Sequence, residues 1–207
     1  MVSGGNTVLA EVTDYTKFKI IGETQDDAAG ECMDKAARCL GLSYPGGVNL
    51  DKTATEADTE KYPLPHPHVS TGEFDFSFSG LKTAVINTVH NAEQKGEQLR
   101  REDMAASFQK TVADTLVERT MAAAKMLGSK KLAIAGGVSA NSGVRGAFEK
   151  ACADRGIKLY MPELKYCGDN AAMIACQGYY DFLAGKRADE SLNGIATLSL
   201  DKISEEQ

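Results

Sequence analysis

Apolar and polar residues alternate at the start of the chain and then take up a helical period. Residues 7–12 and 17–22 alternate as strands do, with a turn at 13–15, and this pattern predicts a β-hairpin. From residue 26 the apolar positions recur at helical spacing, so a first helix is predicted over 26–40. Residues 51–72 contain three prolines and are predicted to be irregular and exposed.

The second half of the chain predicts helices that alternate with strands. Aromatic residues alternate over 74–78, which predicts a strand followed by a helix from Gly80. Apolar residues at 104, 108, 112 and 116 predict a long amphipathic helix over about 101–127. The remaining predicted elements are a strand at 131–135, a helix from near 139, a strand at 158–161 and a helix at 170–183.

This order of elements predicts an α/β domain in which helices cover a mixed sheet. Ligands of such sheets collect at the carboxyl ends of the strands. Glycine turns at 3–5, 135–139 and 167–169 are candidates for that rim, because glycine lets backbone N–H groups approach an anion closely. The residues alone therefore indicate a binder of nucleotide or phosphate.

The amino-acid composition limits which classes of protein this chain can belong to. Of 207 residues 25% are charged and 43% hydrophobic, which is typical of a globular domain. The net charge is −6, so contact with nucleic acid requires a local basic patch or a partner. The sequence has no long apolar run and no signal-peptide pattern, so we expect a cytoplasmic protein without membrane contact. Five cysteines without C-x-x-C spacing are expected to be reduced, with Cys32 and Cys39 acting as small buried residues.

Several candidate residues keep two interpretations at this point. Asp34 is either a solvated helix charge or a ligand-binding acid, and Asp51 is compatible with a turn. Asn141 and Asp169 each suit a helix N-cap or a ligand contact. His66 and His68 lack the helical spacing that brings two imidazoles onto one metal, so no site is assigned to them.

Five stretches carry a resemblance to a known family. They are Val2–Gly5, Gly22–Gly47, Phe74–Val85 (FDFSFSGLKTAV), Ala133–Ser142 (AIAGGVSANS) and Tyr166–Ala175 (YCGDNAAMIA). In this order they resemble the TsaD, or Gcp, family of tRNA adenosine threonylcarbamoyltransferases. The resemblance implies the actin/Hsp70/sugar-kinase (ASKHA) fold, of which residues 1–195 match the C-terminal lobe. It also implies a helical and loop insertion at about 26–72, and 196–207 are expected to be a polar tail.

The resemblance also implies a reaction. The family transfers a threonylcarbamoyl group from threonylcarbamoyl-AMP to N-6 of the adenosine 3′ of the anticodon in tRNA, and AMP is released. The implied partners are tRNA, threonylcarbamoyl-AMP and companion proteins of the transfer complex, including a dimerising inactive paralogue. The implied cofactor is one iron or zinc ion, and an ATP- or AMP-type nucleotide forms part of the substrate.

Site residues follow from the matching motifs. The backbone of Met1, Val2, Ser3, Gly4 and Gly5 is expected to hold the adenylate phosphate. Asp34 and Asp51 are expected to bind the ribose, Gly47 to lie against the nucleoside, Asn141 to contact the adenine and Asp169 to bind the metal. No catalytic residue is assigned.

The chain also departs from the family pattern. Asn6 stands where the family has histidine, and the first lobe with its His-x-x-x-His pair has no counterpart in this sequence. We therefore expect an incomplete chain, whose activity on its own is open.

Two other functions remain as alternatives. One is a non-catalytic, nucleotide-binding interaction subunit of the same complex. The other is an ATPase or sugar kinase of the same fold, with Asp26 or Asp27 as its base. A zinc protease is excluded because the sequence contains no His-Glu-x-x-His.

Overall fold

The computed structural model of the chain describes residues 1–66, 69, 71–195 and 198. Its strands are β1 (Val8–Asp14), β2 (Lys17–Glu23), β3 (Lys131–Ala133) and β4 (Lys158–Tyr160). Its α-helices are α1 (Ala29–Cys39), α2 (Gly46–Thr53), α3 (Ser79–Lys95), α4 (Arg101–Met126), α5 (Ser142–Ala153) and α6 (Ala171–Leu183). Short 3₁₀ turns occur at Gly137–Ala140 and Leu164–Tyr166.

The strands form two pairs instead of the single mixed sheet that the sequence predicts. β1 and β2 pair antiparallel, which confirms the predicted hairpin, and β3 and β4 pair in parallel. The first two residues of the chain connect the pairs. The Val2 N–H donates to the carbonyl of Ala135 at 2.8 Å, and the Val8 N–H donates to the carbonyl of Met1 at 2.9 Å. The mixed α/β class is thus confirmed, while the ASKHA assignment stays a prediction.

Helix α4 is the centre of the hydrophobic core. Met104, Phe108, Val112 and Leu116 follow one another at four-residue spacing and are all fully buried, which confirms the predicted long helix along the core. Residues 103–109 are buried without a break, so this part of the helix is enclosed and is not amphipathic as predicted. Burial of each such side chain contributes roughly 1.5–3 kcal/mol. Because α2 and α5 both pack on α4, this helix fixes the positions of the candidate residues on those two helices.

Helix α1 begins at Ala29 and not at 26, because Asp26 caps a different helix. The Asp26 carboxylate accepts hydrogen bonds from the N–H groups of Phe78 (2.7 Å) and Ser79 (3.2 Å), at the start of α3. The hydroxyls of Ser77 and Ser79 also donate to it. Burial raises the pKa of Asp26, but these four hydrogen bonds outweigh it and hold the pKa below its usual value.

Two further predictions of secondary structure are wrong. Residues 46–53 form α2, whose last three residues belong to the segment that the sequence predicts to be irregular. The strand predicted over 74–78 is reduced to one parallel bridge between Phe76 and Thr24. The carboxylate of Asp75 accepts hydrogen bonds from the Glu23 N–H at 3.1 Å and from the Thr71 hydroxyl at 2.8 Å. These bonds hold residues 71–75 in a turn, and Phe76 forms the one bridge of this segment that the described residues show.

Helix α6 starts at Ala171, one residue after the predicted start, and none of its residues is buried. It contacts the turn of the hairpin, where the ring of Tyr180 stacks on that of Tyr15 with centroids 3.8 Å apart. Its apolar residues are exposed, and the most open of them are Ile174, Leu183, Phe182 and Tyr179. The expectation that this helix packs on a sheet face is therefore wrong.

Cys32 is fully buried, and burial together with the carboxylates of Asp27 and Asp26 raises its pKa to about 12, so the thiol stays protonated. All five cysteines are free. In the described part of the chain no helix has the length and hydropathy to cross a membrane. The predicted tail at 196–207 lies outside the described residues except for Leu198, and the domain limits stay predictions.

Candidate functional site

A tight turn near the start of the chain presents free backbone amides. The Ser3 N–H donates to the carbonyl of Asn6 at 2.8 Å, and the Asn6 N–H donates to Ser3 Oγ at 3.0 Å. Gly4 and Gly5 form the exposed tip, and their N–H groups have no acceptor among the described residues. A Cβ atom at either glycine would meet nothing within 4 Å. Successive free amides at such a turn form a cradle for an anion.

The glycine turn after β3 packs directly against this N-terminal turn. The Val138 N–H donates to the carbonyl of Val2 at 3.2 Å. A Cβ atom on Gly136 would lie only 2.3 Å from the oxygen of that carbonyl. The third predicted glycine turn is close by, because Ser139 Oγ contacts Cys167 Sγ at 3.4 Å. The rim predicted from the three glycine turns is thus present.

Helix α1 packs against the same turn through a glycine. The Gly30 N–H donates to the carbonyl of Ser3 at 3.1 Å, and a Cβ atom on Gly30 would lie 2.7 Å from that oxygen. Asp34 follows four residues later, on the same face of α1. Its Oδ1 accepts a hydrogen bond from the Gly47 N–H of α2 at 3.0 Å. α1 therefore connects the N-terminal turn to α2.

Helix α2 closes the arrangement by contacting α5. Asp51 lies four residues after Gly47, on the same face of α2. The Asp51 carboxylate accepts hydrogen bonds from the Ser142 N–H (3.0 Å) and the Ser142 hydroxyl (2.6 Å). Ser142 is the first residue of α5 and follows Asn141 at the end of the Gly136 turn.

These contacts form a closed ring, which we call the glycine ring. Its members are residues 2–5, Gly30, Asp34, Gly46, Gly47, Asp51, Asn141, Ser142 and 136–138. The ring brings together most of the residues that the sequence predicts to bind nucleotide. Met1 directly precedes the ring in sequence, and its α-amino group donates to the carbonyl of Val8 at 2.7 Å.

The polar side chains of the ring differ in how many of their hydrogen-bonding atoms already have a partner within the protein. Asp51 accepts hydrogen bonds at both carboxylate oxygens. Asn141 is buried, its Oδ1 accepts from the Val144 N–H at 2.9 Å, and its Nδ2 donates to Gln109 Oε1 at 2.9 Å. Asp34 accepts at one oxygen only among the described residues, so its second oxygen has no hydrogen-bond donor there.

Asp169 lies apart from these contacts and does not cap α6. The N-cap is Asn170, whose Oδ1 accepts from the Met173 N–H at 3.0 Å, so the N-cap interpretation of Asp169 is wrong. Tight binding of iron or zinc takes about three protein ligands. In the described part of the chain no three His, Cys, Asp or Glu side chains come together to hold a metal. His66 and His90 are exposed, and His68 lies outside the described residues. These residues do not fit a metal site at Asp169.

The cap assignment predicts a local effect on α6. We expect Asn170→Ala to weaken the helix by about 1 kcal/mol, because the Met173 N–H loses its acceptor, and Asp169→Ala to change it by less than about 0.3 kcal/mol. Hydrogen exchange of the α6 amides measures this, with about fivefold faster exchange expected for Asn170→Ala alone. Faster exchange in Asp169→Ala than in Asn170→Ala would contradict the assignment.

Sequence reasoning missed three residues that hold the ring together: Gly30, Gln109 and Ser142. Only Gly30 carried a usable signal, since a glycine inside a helical pattern indicates a close approach of backbone. The bonds of Gln109 and Ser142 join segments far apart in sequence, and no local pattern indicates them.

Comparison with known proteins gives one consistent result. A family model described as "TsaD: tRNA N6-adenosine threonylcarbamoyltransferase" matches residues 1–176. A relative of that name from Caldicellulosiruptor saccharolyticus is 49% identical over 200 residues, which are 97% of this chain and 59% of the relative. The Bacillus subtilis relative is 50% identical over 201 residues, covering 97% and 58%. The Staphylococcus carnosus relative is 47% identical over 207 residues, covering 100% and 60%. The chain thus spans about three fifths of the length of these curated relatives.

Proposed function

Because the chain belongs to the TsaD family of tRNA N6-adenosine threonylcarbamoyltransferases, we propose that it serves the transfer of a threonylcarbamoyl group from threonylcarbamoyl-AMP to tRNA. The acceptor in this proposal is N-6 of the adenosine 3′ of the anticodon. The observation that carries the proposal is the glycine ring, in which the Gly4 and Gly5 amides, without an acceptor among the described residues, belong to the same ring of contacts as the Asp34 carboxylate.

The proposed reaction is an acyl transfer from a mixed anhydride. The N-6 electron pair of the adenosine attacks the carbamoyl carbonyl carbon, and a C–N bond forms. The C–O bond to the phosphate breaks with its electron pair, so that AMP leaves, and N-6 loses a proton to solvent. Negative charge therefore grows on the phosphate as the bond breaks. A site that places donors at this phosphate in advance favours the reaction.

The glycine ring suits the adenylate half of this substrate. The Gly4 and Gly5 N–H groups have no acceptor among the described residues, so they remain available to donate to phosphate oxygens. The second carboxylate oxygen of Asp34, which has no hydrogen-bond donor among the described residues, can accept from a ribose hydroxyl, as carboxylates commonly do. Asp51 and Asn141 mainly hold the start of α5 in place, and their contribution is the position of the cleft wall.

The alternatives have less support. A kinase or ATPase needs a free base, but Asp26 caps α3 and Asp27 pairs with Lys35 at 2.6 Å. The relatives are named as transferases, and this does not favour a non-catalytic subunit. Hydrolysis of ATP by the chain in the absence of tRNA would favour the kinase alternative.

Partners and cofactors belong to the same proposal. The ligands are threonylcarbamoyl-AMP and tRNA, and companion proteins, among them an inactive paralogue, complete the complex. The location is the cytoplasm, where tRNA is used in translation. Iron or zinc is the metal proposed for the family. Asp169 is the one residue of this chain that matches a metal ligand of the family, so the proposed reaction contains no metal step.

Substitution at the open turn tests the adenylate site. We expect Gly5→Val to lower the affinity for AMP at least about tenfold, since its side chain fills the space of the phosphate. The unfolding temperature should stay within about 2 °C, because a Cβ at Gly5 meets nothing within 4 Å and its φ is ordinary. The measurement is a titration of the 207-residue chain with AMP, followed by amide chemical shifts.

The matched control is Gly194→Val, at another exposed glycine with open space around it. It should bind AMP as the unmodified chain does. Equal AMP affinity in Gly5→Val and Gly194→Val would show that the phosphate does not bind at the N-terminal turn. Shift changes that avoid residues 2–5 and 136–138 would count against the proposal in the same way.

A further inference from the structure

A group of basic side chains lies at the end of the domain opposite the glycine ring. The ring adjoins the carboxyl end of β3, where Ala135 accepts from Val2, whereas this group surrounds the amino ends of β3 and β4. The segments 125–131 and 155–158 contain five basic residues and no acidic one. We call these residues the basic patch: Lys125, Lys130, Lys131, Arg155 and Lys158, all of them exposed.

The fold brings the two segments together. Lys131 and Lys158 are register partners in the parallel pair, and the Lys158 N–H donates to the carbonyl of Lys130 at 2.9 Å. Lys125, Lys130 and Arg155 line one cavity of about 520 Å³ between the end of α4 and the loop before β4. Three of the five positive charges therefore line one concave surface, and Lys131 and Lys158 lie at the start of the adjoining strand pair.

The carboxylates in the described part of the chain form no close ion pair with this surface. None of the five basic groups lies within 4.0 Å of a carboxylate there. Glu118 is the one acidic residue lining the cavity, against three basic ones. Arg155 donates to a backbone carbonyl, and the Lys158 ammonium lies 4.9 Å from the centre of the Tyr160 ring, so their partners are uncharged.

This concentration of charge is unfavourable for the fold itself. Like charges on neighbouring strands repel, and Lys131 and Lys158 stand opposite each other. The chain as a whole carries a net charge of −6, so this positive patch lies on a protein that is negatively charged overall. A polyanion that binds here would relieve the repulsion. An acidic protein can attract a nucleic acid only through a local surface of this kind.

We infer that the basic patch binds the phosphate backbone of tRNA. The inference rests on the proposed function, which makes tRNA the acceptor. Exposed lysines provide point charges that suit phosphates, and such contacts position an RNA without reading its sequence. From Lys131 to Ala135 the strand direction spans about 13 Å. A tRNA molecule is longer than this, so one RNA can contact the patch while its adenosine reaches the glycine ring.

Binding of tRNA at several salt concentrations tests the inference. The probe is an unmodified transcript of a tRNA with adenosine 3′ of its anticodon, and the readout is fluorescence anisotropy with the 207-residue chain. In the variant Lys130→Gln/Lys131→Gln/Lys158→Gln we expect at least about tenfold weaker binding at low salt. The slope of log affinity against log salt should fall by about 2, since three phosphate contacts are lost.

A second triple variant controls for net charge. Lys19→Gln/Lys61→Gln/Lys95→Gln removes the same charge from exposed lysines on other segments, and we expect less than about a threefold change in affinity. Equal losses in the two variants, or an unchanged salt slope in the patch variant, would overturn the inference. So would a wild-type chain that shows no salt-dependent binding of tRNA.

Titration with AMP separates this inference from the proposed function. The patch variant should bind AMP as the wild type does, because the patch and the glycine ring lie at opposite ends of β3. If AMP binding persists while the patch variant keeps full tRNA affinity, only the patch is refuted. If the wild-type chain fails to bind AMP at its N-terminal turn, the adenylate site is refuted whatever the RNA result.

Discussion

Replacing Gly136 by alanine should lower the free energy of unfolding by about 3 kcal/mol or more. The φ of 104° and ψ of 166° at Gly136 lie in a region that is open almost only to glycine. The added Cβ would lie 2.3 Å from the carbonyl oxygen of Val2. That carbonyl cannot move away freely, because Val2 is hydrogen bonded to both Ala135 and Val138. Urea unfolding followed by circular dichroism measures the loss.

The neighbouring glycine provides the control. Gly137 has an ordinary φ, and a Cβ there would meet nothing within 4 Å. We expect Gly137→Ala to change the free energy of unfolding by less than about 1 kcal/mol. Similar losses for the two variants would show that the close approach to Val2 is not what requires glycine at 136.

Replacing Asn141 by alanine should lower the free energy of unfolding by about 3 kcal/mol. The side chain caps α5 through the Val144 N–H, and loss of such a cap costs about 1 kcal/mol. It also donates to Gln109 Oε1 in the buried contact between α5 and α4. Leaving that oxygen without a donor costs a further 1–3 kcal/mol or so. The unfolding transition in urea again provides the measurement.

Asn141→Asp separates this structural role from ligand binding. Aspartate caps a helix about as well as asparagine, and the Gln109 amide can rotate to donate to the new carboxylate. We therefore expect this variant to lose less than about 1 kcal/mol of stability. If it nevertheless binds AMP more weakly, Asn141 contacts the nucleotide as the family resemblance implies. A loss of 3 kcal/mol in Asn141→Asp would contradict the proposed bonding.

Several residues that are predicted to bind nucleotide also hold the glycine ring together. Asp34 and Asp51 are predicted as ribose ligands. In the fold, Asp34 joins α1 to α2 through the Gly47 amide, and Asp51 joins α2 to α5 through Ser142. Loss of nucleotide binding on substitution of either aspartate would therefore mix a lost contact with a displaced helix. Gly4 and Gly5 are better probes, because their surroundings are open.

Helix α2 shows how tertiary contact overrides local signals. Residues 44–47 contain proline and two glycines, which favour a turn, yet a helix begins at Gly46. A Cβ on Gly46 would lie 2.7 Å from the Cα of Asp34, so glycine is there for the packing of α2 on α1. The Asp34 carboxylate also accepts from the Gly47 amide, which lies in the first turn of the helix and has no partner within it.

The hairpin, α3, α4 and the unit of β3 and α5 followed from the sequence alone, because the period of apolar residues indicates which face of each element is buried. The sequence also predicted that β4 and α6 exist, but α6 has no buried face. The motifs likewise identified the family, which the comparisons confirmed. Only the tertiary structure decided the start of α1, the existence of α2, the loss of the strand at 74–78 and the exposure of α6. In the first three cases a bond between residues far apart in sequence, such as that from Phe78 to Asp26, set the local backbone. Local propensity does not contain such bonds, and for the same reason the glycine ring and the basic patch appeared only when separate segments were placed side by side.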